Sequence, residues 1–124
     1  MANILVVDDS KFMRTLLCTL LDEAGHQVVG EAENAKEAIE LYKMLKPDLV
    51  TLDVIMPEVE GTDAAAAITE MRQVNPEANV VMISAMGQES LMKEYLQAGA
   101  KDFIVKPFNL PDVAKVVNTV LGNN

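Results

Sequence analysis

Tryptophan is missing from this chain of 124 residues, and cysteine occurs once, at Cys18. A single cysteine forms no internal disulfide, so the chain is expected to fold on its core alone in a reducing cytoplasm. Basic residues are also few: 10 Lys and Arg stand against 19 Asp and Glu, for a net charge of −9. That balance argues against direct nucleic-acid binding, which needs a basic face to replace counterions, and protein partners are expected. No apolar run approaches the ~20 residues of a membrane span. The opening Met1-Ala2-Asn3 lacks the basic and apolar regions of a signal peptide. The expectation is a cytoplasmic protein without membrane contact.

What is present is apolar sequence in short pieces. Half the residues are hydrophobic, and the length is that of one domain able to bury a real core. Short β-rich runs alternate with helical periodicity, the signature of βα units on a parallel sheet. Strands are expected at 3–8, 27–33, 48–53, 79–84 and 102–105. The run 48–53 is apolar on both faces and should be central. The first helix carries Met13, Leu16, Leu17, Leu20, Leu21 and Ala24 on one face, with Gly25 as its stop. Helices are expected at 35–45, ended before Pro47, at 62–74, and from Gln88 to Ala98, with Leu91, Met92, Tyr95 and Leu96 clustered and Gly99 as the stop. The last helix opens at Pro111 and aligns Val113, Val116, Val117, Val120 and Leu121; the tail Gly122-Asn123-Asn124 ends it. Residues 1–124 thus read as a single domain with no linker or repeat.

Polar residues close four of the five strand runs. Asp8 and Asp9 follow the first, Asp53 the third, Ser84 the fourth and Lys106 the fifth. On a parallel sheet these residues meet at the carboxyl edge, where open α/β folds place their chemistry. As a lone pair, Asp9 with Ser10 reads as a helix cap. Asp53 changes that reading, because acidic turns from two strands repel unless a cation lies between them. Hard oxygen ligands select Mg²⁺. Lys106 can pair with Asp53 and with a phosphoryl group on it, and Ser84, followed by the small Ala85, offers a hydroxyl. Metal, amine and hydroxyl together stabilise charge on a transferring phosphoryl group, with the Asp53 carboxylate as nucleophile.

These pieces, in order, resemble the receiver domain of a two-component response regulator over the whole chain. The matching segments are Val6-Val7-Asp8-Asp9-Ser10, Leu52-Asp53-Val54-Ile55-Met56-Pro57 with Gly61, Ser84-Ala85, and Ala98-Gly99-Ala100-Lys101-Asp102-Phe103 leading to Lys106-Pro107-Phe108. The stretch 84–88 together with 102–108 is most similar to single-domain chemotaxis regulators of the CheY type. The resemblance implies a flavodoxin-like (βα)5 fold, a doubly wound α/β sandwich with strand order 2-1-3-4-5. It implies Asp53 as the phosphoacceptor for a sensor histidine kinase. It implies Mg²⁺ on Asp9 and Asp53, with Asp8 acting mainly through water and the main-chain carbonyl of Ile55 completing the set. Ser84 and Phe103 match a switch pair, Lys106 the family's lysine, and Lys106-Pro107 a cis bond.

The implied function is a phosphorylation-dependent switch with a changing affinity for a protein target, and not a turnover enzyme. Chemotaxis is the implied setting, and the flagellar motor switch is the target it suggests. The output face would be the helix from Gln88 to Ala98, the fifth strand and the last helix; a phosphatase is a further expected partner. Three departures bear on behaviour. Phe103 stands where many relatives have Tyr, and Ile55 and Met86 put apolar side chains beside the path of a water attacking the acyl phosphate.

Alternatives remain open at this level. The chain can be the receiver of a longer regulator. An Mg²⁺-dependent Asp phosphatase would need an acid two residues after the nucleophile, where Ile55 stands. A flavodoxin-like electron carrier would meet repulsion between Asp8-Asp9 and a flavin phosphate. His26, after Gly25, reads as a solvated or capping residue, Cys18 as a core or boundary residue, the eight methionines as core filling, and Glu58 and Glu60 as a solvated acidic loop.

Overall fold

Alternation along three central strands builds two cores. Ile4, Val6, Val81 and Ile83 turn to one face of the sheet, Leu5, Val7, Val50, Leu52, Val80 and Met82 to the other, and all are fully buried. The structure, a computed structural model, describes residues 1–122. Its elements are β1 (Asn3–Val7), α1 (Lys11–Glu23), β2 (Gln27–Ala32), α2 (Ala35–Leu45), β3 (Leu49–Asp53), α3 (Ala64–Val74), β4 (Val80–Ala85), α4 (Glu89–Ala98), β5 (Asp102–Lys106) and α5 (Leu110–Val120). The sheet is parallel throughout, in the order β2-β1-β3-β4-β5. Leu17 and Leu21 of α1 and Val113 and Val117 of α5 cover the first face; α2, α3 and Met92 of α4 cover the second. The expected flavodoxin-like α/β fold and strand order are therefore present. β3 is buried along its whole length, as its two apolar faces require.

Element ends are set by caps. Ser10, Asn34, Asp63 and Asn109 each accept a main-chain N–H from the first turn of α1, α2, α3 and α5. Asp63 as cap moves the start of α3 to Ala64, past the Thr62 expected from sequence. Asp8, Glu33, Asp48 and Asn79, expected within strands, lie just outside them, while β4 and β5 run one residue further than expected, to Ala85 and Lys106. Gly25 stops α1 as expected: it follows the Ala24 cap at φ 89, and its N–H donates to the Asp22 carbonyl at 3.0 Å. Gly99 ends α4 at φ 124, and a Cβ there would overlap the Arg72 side chain. Of the expected tail, Gly122 is a turn residue, and residues 123–124 lie outside the described residues.

Three sequence readings are corrected here. His26 is buried, not solvated: its Nδ1 accepts the Ala2 N–H at 3.2 Å and its Nε2 lies 3.0 Å from Asn118 Oδ1, so it joins the residue before β1 to α5. On α4 only Met92 is buried, whereas Leu91 and Leu96 stand partly in solvent. Core filling describes Met71, Met82 and Met92, but Met1, Met44 and Met86 are exposed. Cys18 is half-buried against the α1/α5 core, as a boundary residue. No helix among the described residues is long and apolar enough to cross a membrane.

Candidate functional site

β1 stops at Val7, and the chain turns into α1 through Asp8, Asp9 and Ser10. Ser10, and not Asp9, is the cap of that helix, so the Asp9 carboxylate is exposed and free of that duty. Asp8 is buried. Its Oδ1 accepts the Ser10 N–H at 2.8 Å, while its Oδ2 is buried without a hydrogen-bond partner among the described residues. β3 pairs with β1 directly, so Asp53 emerges beside this turn. Asp8, Asp9 and Asp53 each offer a carboxylate oxygen, and these oxygens lie within 4.8 Å of one another. The sequence-expected acidic cluster is therefore assembled.

One cation answers the cluster and a second braces the turn that carries it. Lys106, at the end of β5, places Nζ 3.6 Å from Asp53 Oδ1 and 3.8 Å from Asp8 Oδ2. The Lys106-Pro107 bond is cis, as the resemblance implies. Arg14, which sequence reading passed over, enters from α1. Its Nη1 donates to the main-chain carbonyl of Asp8 at 2.8 Å, and its Nε donates to Glu31 Oε1 at 3.1 Å. It ties the end of β1 to the end of β2. The signal was available: Arg14 precedes Leu17 by three positions and Leu21 by seven, on the buried stripe, where an arginine needs partners.

A carboxyl buried beside another carboxylate resists ionisation. The Asp53 carboxyl is pushed up from 3.8 to about 6, first by burial and then by the Asp8 charge; Lys106 and the Ile55 N–H, 3.4 Å from Oδ1, act against this. A divalent cation relieves the same repulsion. The unpartnered Asp8 Oδ2 and the convergence of three hard oxygen donors fit Mg²⁺, which takes few carboxylates and keeps its waters.

The remaining predicted residues stand on β4, on β5 and in the segments that follow β3 and β4. Ser84 is fully buried on β4, and its Oγ has no hydrogen-bond partner among the described residues. Phe103 on β5 is half-buried, packed on the α2/α3/α4 core, and lies opposite Met82 in the ladder. Ile55 and Met86 are exposed, at 62% and 75% of their surface. Gln88 was read only as a helix start, yet its Oε1 accepts the Ala85 N–H at 2.7 Å beside Ser84.

Comparison with known proteins places this geometry. The family described as "Response regulator receiver domain" matches residues 4–118. The chain is 49% identical over 118 residues to the chemotaxis protein CheY of Thermotoga maritima, covering 95% of this chain and 96% of that protein. It is similar to the solved receiver domain of NtrX from Brucella abortus, with a TM-score of 0.88 and 33% identity over 98% of this chain and 99% of that one. It is also similar to a chain of the CheX-CheY-BeF3-Mg²⁺ complex from Borrelia burgdorferi, with a TM-score of 0.85 and 37% identity over 95% of this chain and 87% of that one.

Proposed function

This chain belongs to the response regulator receiver family, and on that premise we propose that it is a phosphorylation-dependent switch in chemotaxis, with Asp53 as its phosphoacceptor. Members of the family are signalling switches that work with histidine kinases and downstream targets, and they bind Mg²⁺ at an acidic pocket. The observation that carries the assignment of Asp53 is its position between Lys106 Nζ and the Asp8 and Asp9 carboxylates.

Each residue has a task that its chemistry suits. Asp8, Asp9, Asp53 and the main-chain carbonyl of Ile55 would hold Mg²⁺, which when bound neutralises charge on the phosphoryl oxygens. An Asp53 oxygen attacks phosphorus. The P–N bond of the donor phosphohistidine breaks, its electron pair stays on the imidazole nitrogen, and an acyl phosphate forms on Asp53. Lys106 keeps a positive charge beside the attacking oxygen and balances the added phosphoryl charge. Ser84 has a hydroxyl free to donate to a phosphoryl oxygen, and its movement leaves room for Phe103 to turn inward. Phosphorylation alters a small local charge, so such a side-chain pair is needed to relay it. The output face is α4, β5 and α5, where the partner would be a chemotaxis target such as the flagellar motor switch.

Residues 1–124 act as one receiver domain in the cytoplasm, phosphorylated by a sensor histidine kinase and open to a phosphatase. Turnover as an Asp phosphatase finds no support, because the position two residues after Asp53 is the apolar Ile55. The test is labelling by acetyl phosphate with Mg²⁺. Wild type is expected to gain one phosphoryl group and Asp53→Asn none; equal labelling of Asp53→Asn rejects the assignment.

A further inference from the structure

β3 leaves the sheet before β4 does. Asp53 pairs with Ile83, and the Val54 N–H still reaches the Ile83 carbonyl at 3.0 Å. Beyond that point β4 runs on through Ser84 and Ala85 with β5 alone as its partner, Ser84 opposite Val105 and Ala85 opposite Lys106. Main-chain groups of successive residues in a strand point to opposite neighbours. Ile83 points its carbonyl at β3, so Ala85, two residues on, points its N–H and carbonyl to the same side. There, β3 has turned away beside Asp53, and no ladder partner remains.

Gln88 takes that place. Its Oε1 accepts the Ala85 N–H at 2.7 Å, and its own N–H donates to the Ala85 carbonyl at 3.2 Å. Gln88 is also the N-cap residue of α4, yet its side chain makes no capping bond to that helix. The amide is committed to the end of β4 and not to the start of α4. Next to it, the buried Ser84 Oγ has no partner among the described residues. β4 therefore ends in a Ser84 hydroxyl without a partner among the described residues and, turned to the side that β3 has left, an Ala85 N–H that Gln88 masks.

We propose that Gln88 is a built-in competitor of the phosphoryl group for the Ala85 N–H, a positioning residue that resists the phosphorylated state and reports it to α4. The proposal rests on the reading of Asp53 as phosphoacceptor. An anionic phosphoryl oxygen is a stronger acceptor than a neutral amide, so the exchange of partners favours the phosphorylated form. The displaced Gln88 side chain is then free at the N-terminus of α4, where unpaired N–H groups wait for an oxygen. One hydrogen bond is exchanged at the site and another becomes available one turn away, on a helix of the output face.

The experiment is a titration of wild type, Gln88→Ala and Gln88→Glu with beryllofluoride and Mg²⁺, followed by the amide resonances of Ala85 and of α4. Gln88→Ala removes the competitor and is expected to bind beryllofluoride roughly three- to tenfold more tightly, the worth of about one net hydrogen bond. Gln88→Glu keeps the acceptor and adds a repelling charge, so it is expected to bind more weakly than wild type. In the free proteins the Ala85 amide should exchange faster in Gln88→Ala than in wild type, and at the same rate once both carry beryllofluoride. Equal affinity of all three proteins, or an Ala85 resonance unmoved by beryllofluoride in a wild type that binds it, overturns the role of Gln88 and leaves the Asp53 reading intact. Failure of folded wild type to take up beryllofluoride overturns both.

Discussion

Lys106 Nζ lies 3.6 Å from Asp53 Oδ1, and the pair still leaves Asp53 harder to ionise than a free carboxyl. Burial and the neighbouring Asp8 outweigh the lysine, which is also 3.8 Å from Asp8 Oδ2 and serves two carboxylates at once. With three carboxylates against one lysine, the site is two positive charges short. That deficit makes it receptive to a divalent cation, and it sets the behaviour of the metal-free protein.

In chelated protein, Asp53→Asn should be more stable than wild type at pH 7. The displacement from 3.8 to about 6 corresponds to a cost on the order of 2–3 kcal/mol for keeping Asp53 ionised in the folded state. Because the folded value lies above the unfolded one, that cost is full above about pH 6, shrinks as pH falls, and vanishes below about pH 4. The advantage of Asp53→Asn in urea unfolding should fade over the same window. A constant advantage from pH 7 to 4 would show that ionisation is not its source.

Magnesium should raise the thermal midpoint of wild type, and Asp9→Ala should remove that response. A ligand that binds only the folded state adds about 1.4 kcal/mol at ten times its Kd, which corresponds to roughly 3–8 °C in a domain of this size. Asp9 is exposed and caps nothing, so its loss leaves the metal-free fold undisturbed. Scanning unfolding in EDTA and in excess Mg²⁺ measures both. An unchanged wild-type midpoint contradicts the metal site.

Arg14→Ala should destabilise the protein by about 1–3 kcal/mol, because the buried Asp8 carbonyl loses its donor and Glu31 its partner. Arg14→Lys should restore only part of this, since an ammonium lacks the forked geometry that reaches both oxygens. Urea unfolding of the three proteins decides it. Full rescue by lysine would mean that charge alone matters.

Phosphoryl lifetime should shorten in Ile55→Asn. Ile55 cannot hydrogen-bond an attacking water and can crowd its approach, and in-line attack depends steeply on position. Its high exposure means that the substitution leaves the core intact. Decay of phosphoprotein after donor removal reads the rate directly, and Met86→Glu should alter it further. Decay of Ile55→Asn no faster than wild type places control of lifetime elsewhere.

Sequence by itself determined the order of elements, the central place of β3 and the gathering of Asp8, Asp9, Asp53, Ser84 and Lys106 at one edge. Those features follow from local pattern: a residue that ends a parallel strand lands at the carboxyl edge whatever its neighbours are. The tertiary structure alone decided what each polar group meets. His26 is 92 positions from Asn118, its contact on α5. Nothing near His26 separates a solvated ring from a buried one. Arg14 lies on the buried stripe of α1 and so needs partners, but only the fold names one, when β2 brings Glu31 within 3.1 Å. Gln88 looks like an ordinary helix start until β3 turns away and leaves the Ala85 N–H for it to take. Periodicity fixes which way a side chain faces. Its partner is fixed only when packing sets the register of distant strands and removes the water that would otherwise have answered it.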